Sequence, residues 1–167
     1  MKQLYLKQEV FSITNQFKVF DEFQKALYEC KGEFFSIRRE IKIYRSSDKT
    51  MIYSLQKKIL SFLHAYFLKD PAGEVVARLE QKFSFFAPKF KVYFQNQELD
   101  LKGHLWGFDY EVFSQGIKLI QVHKKWLSWG DTYEILVDDS FSLDLAIAIV
   151  VMIDDYLAVN AAQQQRH

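Results

Sequence analysis

The sequence predicts a mainly β protein: a closed antiparallel barrel of about twelve strands around a buried hydrophobic C-terminal helix. Three observations carry that expectation. A box made of a small residue between large apolar ones recurs six times. Each box is followed by two runs in which apolar and polar residues alternate. The chain then changes character, from alternation to an apolar stretch with no polar face.

The boxes come first in the argument. They are Phe11-Ser12-Ile13, Phe35-Ser36-Ile37, Leu60-Ser61-Phe62, Phe83-Ser84-Phe85, Trp106-Gly107-Phe108 and Leu127-Ser128-Trp129. Successive centres lie 24, 25, 23, 23 and 21 residues apart, a near-even register that a Phe-rich chain does not produce by chance. A small residue between bulky ones suits a bend or bulge, where a large side chain would collide with the adjoining strand.

Strand runs follow each box. Alternation rich in Val, Ile, Tyr and Phe reads as half-buried strand. It is found in QFKVF from Gln16, EIKIY from Glu40, KFKVYF from Lys89, FDYEVF from Phe108 and TYEILV from Thr132. The third copy, AYFL from Ala65, is weaker. Turn residues come next, with SSDK at Ser46, DPAG at Asp70, QNQ at Gln95 and SQG at Ser114. A second run then leads into the next box, as in MIYSLQKKIL, EVVARLEQKF and IKLIQVHKKW. Two strands in each of six hairpin-like periods make about twelve. The barrel is expected over about residues 2–138.

After Asp138 the pattern breaks. Ser140 or Ser142 can cap a helix, and Leu145 to Ile153 is nine apolar residues without interruption. Their Ala and Leu content favours a helix over about 140–159, followed by a polar tail over 160–167. Apolar on its whole circumference, it is either buried or in a membrane. Asp144, Asp154 and Asp155 lie inside the nineteen-residue window from Phe141 to Val159. An Asp near a membrane centre costs ~2.5–3.5 kcal/mol, so burial is the expected solution. A barrel of twelve strands is wide enough to need such a filling. Asp154 and Asp155 are expected to mark the end where the helix meets solvent.

Composition bounds the rest. A length of 167 residues suits one domain with a real core. Half the residues are hydrophobic and 17% aromatic, which excludes disorder. With 22 basic and 21 acidic side chains there is no nucleic-acid signature, and no nucleic-acid partner is expected. The N-terminal MKQLYLKQEVFSI lacks the continuous apolar core of a signal peptide. Cys30 is the sole cysteine, so no disulfide framework is expected and the cytoplasm is the expected compartment.

The stretches QKFSFFAPKFKVY from Gln81, KKWLSWGDTYEILV from Lys124 and DDSFSLDLAIAIVVMIDDYL at the helix carry a family resemblance. The chain resembles the LURP-one-related proteins, bacterial members included, within the tubby C-terminal-like and phospholipid scramblase-like superfamily. That resemblance covers essentially the whole chain. It implies a barrel closed around a C-terminal hydrophobic helix. It also implies a non-enzymatic role, since tubby-like domains bind phosphoinositide headgroups and scramblase relatives act at membranes.

Candidate sites are few. The basic doublets Arg38-Arg39, Lys57-Lys58 and Lys124-Lys125 lie near boxes. They are the candidate ligand-binding residues for anionic phospholipid headgroups, on a protein peripheral to the membrane. Lysines at strand ends also serve as solvated edge protection. Trp126 and Trp129 stand where other copies have Phe34 or Ile59 and Phe85, Phe62 or Ile37, so packing is their expected role. A soluble scaffold for a protein or small apolar ligand is the alternative reading. A hydrolase built on Ser128, His123 and Asp131 is a remote third, without a nucleophile-elbow pattern around the serine. His64, His104, His123 and Cys30 lack metal-ligand spacing, and neither metal nor cofactor is expected.

Overall fold

In a computed structural model, the chain forms twelve strands and one long helix. The structure describes residues 1–8, 16–32, 40–60, 63–85, 89–125 and 132–164. The strands are β1 (Lys2–Gln8), β2 (Gln16–Asp21), β3 (Ala26–Gly32), β4 (Glu40–Arg45), β5 (Met51–Leu60), β6 (Leu63–Lys69), β7 (Val75–Lys82), β8 (Lys89–Phe94), β9 (Gln97–His104), β10 (Asp109–Ser114), β11 (Ile117–Lys125) and β12 (Thr132–Val137). Each pairs antiparallel with its sequence neighbours, and β1 pairs with β12 through Lys2↔Val137 to Lys7↔Thr132, which closes the barrel.

The register turns one face of each strand inward. Leu4, Leu6, Val19, Ile43, Leu55, Leu68, Leu79, Val92, Val112, Ile120 and Ile135 are all buried, as the period of two requires. They surround α1 (Leu143–Gln164). Every helix residue from Leu145 to Leu157 is buried, so the helix is enclosed on all sides. Its cap is Ser142, whose carbonyl accepts from the Ala146 N–H and whose Oγ accepts from the Leu145 N–H. Ser140 bonds Asp138 instead. Asp144, in the first turn, is held by the Arg45 guanidinium at 2.7 Å and the Tyr28 hydroxyl at 2.6 Å. Two wall strands thereby fix the helix entry.

Two expectations need amendment. The helix runs past residue 159 to Gln164, with Asn160 buried and its side-chain amide donating to the Tyr156 carbonyl. Asp154 and Asp155 do not reach solvent: both are buried inside the barrel, at 8% and 3% exposure. The two fully described boxes lie at the expected bends, Phe85 in a bend and Leu105–Gly107 in a 3-10 turn, and neither holds a register shift. The register shifts lie beside the hairpin turns, at Val19/Phe20, Ile43/Tyr44, Leu68/Lys69 and Val112/Phe113. Phe83-Ser84-Phe85 and Trp106-Gly107-Phe108 fall between strands, and the other four boxes include residues outside the described ones. A Cβ at Gly107 would meet the imidazole of the exposed His104, which would have to swing aside.

The enclosure predicts where the chain is least tolerant. Ile149→Asp places an unpaired carboxylate on a fully buried helix position. It should lower stability by roughly 4 kcal/mol or more, read as a lower thermal midpoint. An unchanged midpoint would mean that the helix is not enclosed.

Candidate functional site

An up-and-down barrel sends alternate connections to opposite ends, and the two ends differ in charge. The turns between β2 and β3, β4 and β5, and β6 and β7, with the link to the helix, carry Glu22, Asp48, Asp70, Glu74, Asp138 and Asp139 against Lys25 and Lys49. Several of these carboxylates are turn chemistry. Asp21, Asp48, Asp70 and Asp138 each accept from backbone N–H groups two to four residues on. At the opposite end, where the boxes fall in sequence, Lys58, Lys82, Lys89 and Lys125 stand within two residues of strand ends. This box end is the basic one.

The doublets do not make one patch. Neighbours in a strand point to opposite faces. Lys57 therefore turns inward, 5.7 Å from the centre of the buried Tyr66 ring, and Lys124 turns inward 6.0 Å from that of Tyr133. Lys58 and Lys125 are exposed on the outer face, where Lys125 meets Glu134 at 3.0 Å. In addition β5 and β11 stand six strands apart in a ring of twelve, on opposite walls. Arg38 and Arg39 lie outside the described residues.

The inward lysines reveal a polar lumen at the box end. It holds Lys57, Lys124, His64, Asp154, Asp155 and Asn160. Neither aspartate is unpaired. Burial, then the Asp154 charge, pushes the Cys30 thiol up to about 12 and holds the Tyr110 hydroxyl well above its usual value. Burial, then the Lys57 charge, lowers the His64 pKa. Its backbone N–H donates to Gln81 Oε1, while its Nδ1 is buried without a hydrogen-bond partner.

His123 has other company than a serine. Its Nδ1 lies 2.5 Å from Asp109 Oδ1 and its Nε2 2.6 Å from the Gln121 amide. Ser128 and Asp131 lie outside the described residues, as do Trp126 and Trp129. Among the described residues no three His, Cys, Asp or Glu side chains group to hold a metal. Of the aromatics in the described boxes, Phe108 packs inward on Tyr133, while Phe83, Phe85 and Trp106 face outward. Phe83 is 72% and Phe85 86% exposed, edge to face at 4.8 Å, and Trp106 is partly exposed on the next connection. The packing role expected from Phe85 and its equivalents does not hold for Phe85 itself.

Beside these aromatics the wall opens. Among the described residues β8 and β9 pair only through Val92↔Leu99, Tyr93↔Glu98 and Phe94↔Gln97, although both strands run further. A cleft of 610 Å³ begins there, lined by Phe90, Leu99, Leu101, Leu105 and Trp106 with Lys82, Lys89, Lys91, Lys102, Glu98 and Asp100. Its floor is core, since Phe90 packs on Tyr156 of the helix at 4.5 Å. No single residue type announces this opening in the sequence.

The fold defines a class: closed antiparallel barrels threaded by their own C-terminal helix. The sequence profile of the LURP-one-related family matches residues 2–154, and the chain belongs to that family. It is 30% identical over 154 residues to the Bacillus subtilis protein YxjI, covering 92% of this chain and 93% of that one. An X-ray structure of a protein from Arabidopsis thaliana shares the fold, with a TM-score of 0.64 and 13% identity over 93% of this chain and 91% of that one. No helix among the described residues is long and apolar enough to cross a membrane.

The His64 environment sets a pH dependence. Its folded pKa lies below the unfolded value of about 6.5, so the unfolded chain binds the proton more readily. The stability contributed is present above about pH 6.5 and is lost as pH falls toward the folded value. Denaturant titrations between pH 8 and 5 should show that acid limb, and His64→Gln should flatten it. An identical limb in the variant would assign the loss elsewhere.

Proposed function

We propose that the protein is a non-enzymatic binding module that touches anionic membrane surface with its box end. The observation that carries this reading is the exposed Phe83–Phe85 pair, flanked along the chain by Lys82 and Lys89. Aromatics of this kind insert at the headgroup boundary, and each lysine near an anionic leaflet adds about 1 kcal/mol. The acidic turns at the other end favour the same orientation by repulsion. Phospholipid headgroups are the ligands in this reading, and the protein is cytoplasmic and peripheral. The cations that serve it are the outward ones, Lys58, Lys82, Lys89 and Lys125, rather than whole doublets. The hydrolase alternative finds no support at His123, whose ring nitrogens face Asp109 and Gln121. The scaffold alternative is favoured by a separate observation, the open β8–β9 wall.

Co-sedimentation with phosphatidylcholine vesicles of rising phosphatidylserine content tests the membrane reading. Bound protein should increase with anionic fraction and decrease with salt. Phe83→Ser with Phe85→Ser should weaken partitioning about tenfold or more, since each exposed ring contributes up to ~1.5–3 kcal/mol on burial. Lys58→Ala with Lys89→Ala should weaken it less. Wild-type protein that stays in the supernatant at every composition and at low salt would refute the reading.

A further inference from the structure

The β8–β9 seam has a chemical reason to be open. Continuing the register beyond Val92↔Leu99 would set Lys91 against Asp100, Phe90 against Leu101 and Lys89 against Lys102. Lys89 and Lys102 would then stand directly opposite on the outer face, an arrangement that destabilises a ladder. Lys82 adds a third cation in the same row, since it pairs in register with Lys89. Two neighbouring carboxylates are already engaged, Glu80 with Lys82 and Arg78 and Glu98 with Lys91 at 2.7 Å, while Asp100 stands exposed at the Lys91 level, one pair short of the Lys89 and Lys102 level. Lys102 meanwhile lies over the Phe113 ring, 4.5 Å from its centre, and Lys89 stands exposed.

The backbone is left short of partners at the same place. The β8–β9 hairpin turns through Gln95 and Asn96, both at positive φ, so Phe94 and Gln97 form its first hydrogen-bonded pair. Alternation then aims the N–H and C=O of Val92 and Leu99, and next of Phe90 and Leu101, across the seam. The ladder stops before this last pair. Two short strand edges thus face each other without ladder pairing beyond Val92↔Leu99 among the described residues, and an unpaired edge is the feature by which a sheet accepts another chain.

We propose that this seam is a docking slot for an extended peptide segment in which acidic and apolar residues alternate. A strand laid there points alternate side chains inward and outward. An inward side chain comes to rest between Phe90 and Leu101, above the Tyr156 ring, and has to be apolar. The outward side chain next to it lies between Lys89 and Lys102, and a carboxylate there meets both ammonium groups. The cleft volume of 610 Å³ is of the size that takes a few residues. An alkyl chain would also fit the floor, but it would cover the Phe90 and Leu101 backbone groups without satisfying them. The slot thus favours a peptide over a fatty acid, and it goes beyond the membrane contact proposed above.

Fluorescence anisotropy in vesicle-free buffer tests the slot separately from the membrane reading, whose own failure would appear only in sedimentation. The probes are a labelled hexapeptide of alternating Glu and Val, its Lys/Val counterpart, and the Glu/Val peptide N-methylated along one backbone edge. The Glu/Val peptide should bind saturably, at least tenfold more tightly than the other two. Lys89→Glu should weaken it tenfold or more and raise the thermal midpoint by about 2 °C, because a glutamate facing Lys102 lets the ladder close. Lys102→Ala, which introduces no new charge, should weaken binding while leaving a cooperative melt. Equal binding of the N-methylated peptide, or of the Lys/Val peptide, would overturn the proposal. So would saturable binding of dodecanoate with no binding of any peptide, or no binding of any probe.

Discussion

A helix without a polar face constrains everything else in this protein. From Leu145 to Leu157 the side chains of α1 are buried in every direction, and no single packed neighbour can cover such a surface. Only a wall that returns on itself does so. The pairing of β1 with β12 supplies the closure, and the inward register of all twelve strands follows from it. A helix with its side chains is about 10–12 Å across, which suits the interior of a wide barrel. The Asp144 contacts to Arg45 and Tyr28 then fix where the helix enters.

Much of this was legible in the residues. Alternating runs from Gln16, Glu40, Lys89 and Thr132 start where β2, β4, β8 and β12 start, and the boxes mark the connections at one end. The uninterrupted apolar run from Leu145 was equally clear. What escaped was three-dimensional. Lys57-Lys58 and Lys124-Lys125 looked like doublets, yet adjacent strand residues face opposite ways, and the ring sets the two strands on opposite walls. Asp154 and Asp155 looked like a helix end because a carboxylate pair usually seeks water. The inward Lys57 and Lys124, invisible as such without the register, make that part of the lumen polar. Phe85 looked like core because the equivalent positions in other copies, Phe62, Ile37 and Trp129, are also large and apolar, but it sits on a connection and is exposed.

The same register that fills the barrel also weakens it at one place. Among the described residues, eleven of the twelve seams carry five to seven residue pairs, and the β8–β9 seam carries three. Lys89 and Lys102 oppose closure there, and the missing pairs expose Phe90, Leu101 and, behind them, the helix residue Tyr156. The charge difference between the barrel ends and the exposed Phe83–Phe85 pair lie close to this opening in the chain. Structural closure and binding potential are therefore consequences of the same strand alignment.

Amide hydrogen exchange resolved residue by residue by NMR tests the enclosed helix most directly. Amides from Ala146 to Leu157 should exchange only through global unfolding, at the slowest rates in the protein. In the wall, Phe90 and Leu101 should exchange far faster than Val92 and Leu99. Helix amides that exchange ahead of the strand amides, through a local opening, would contradict the account.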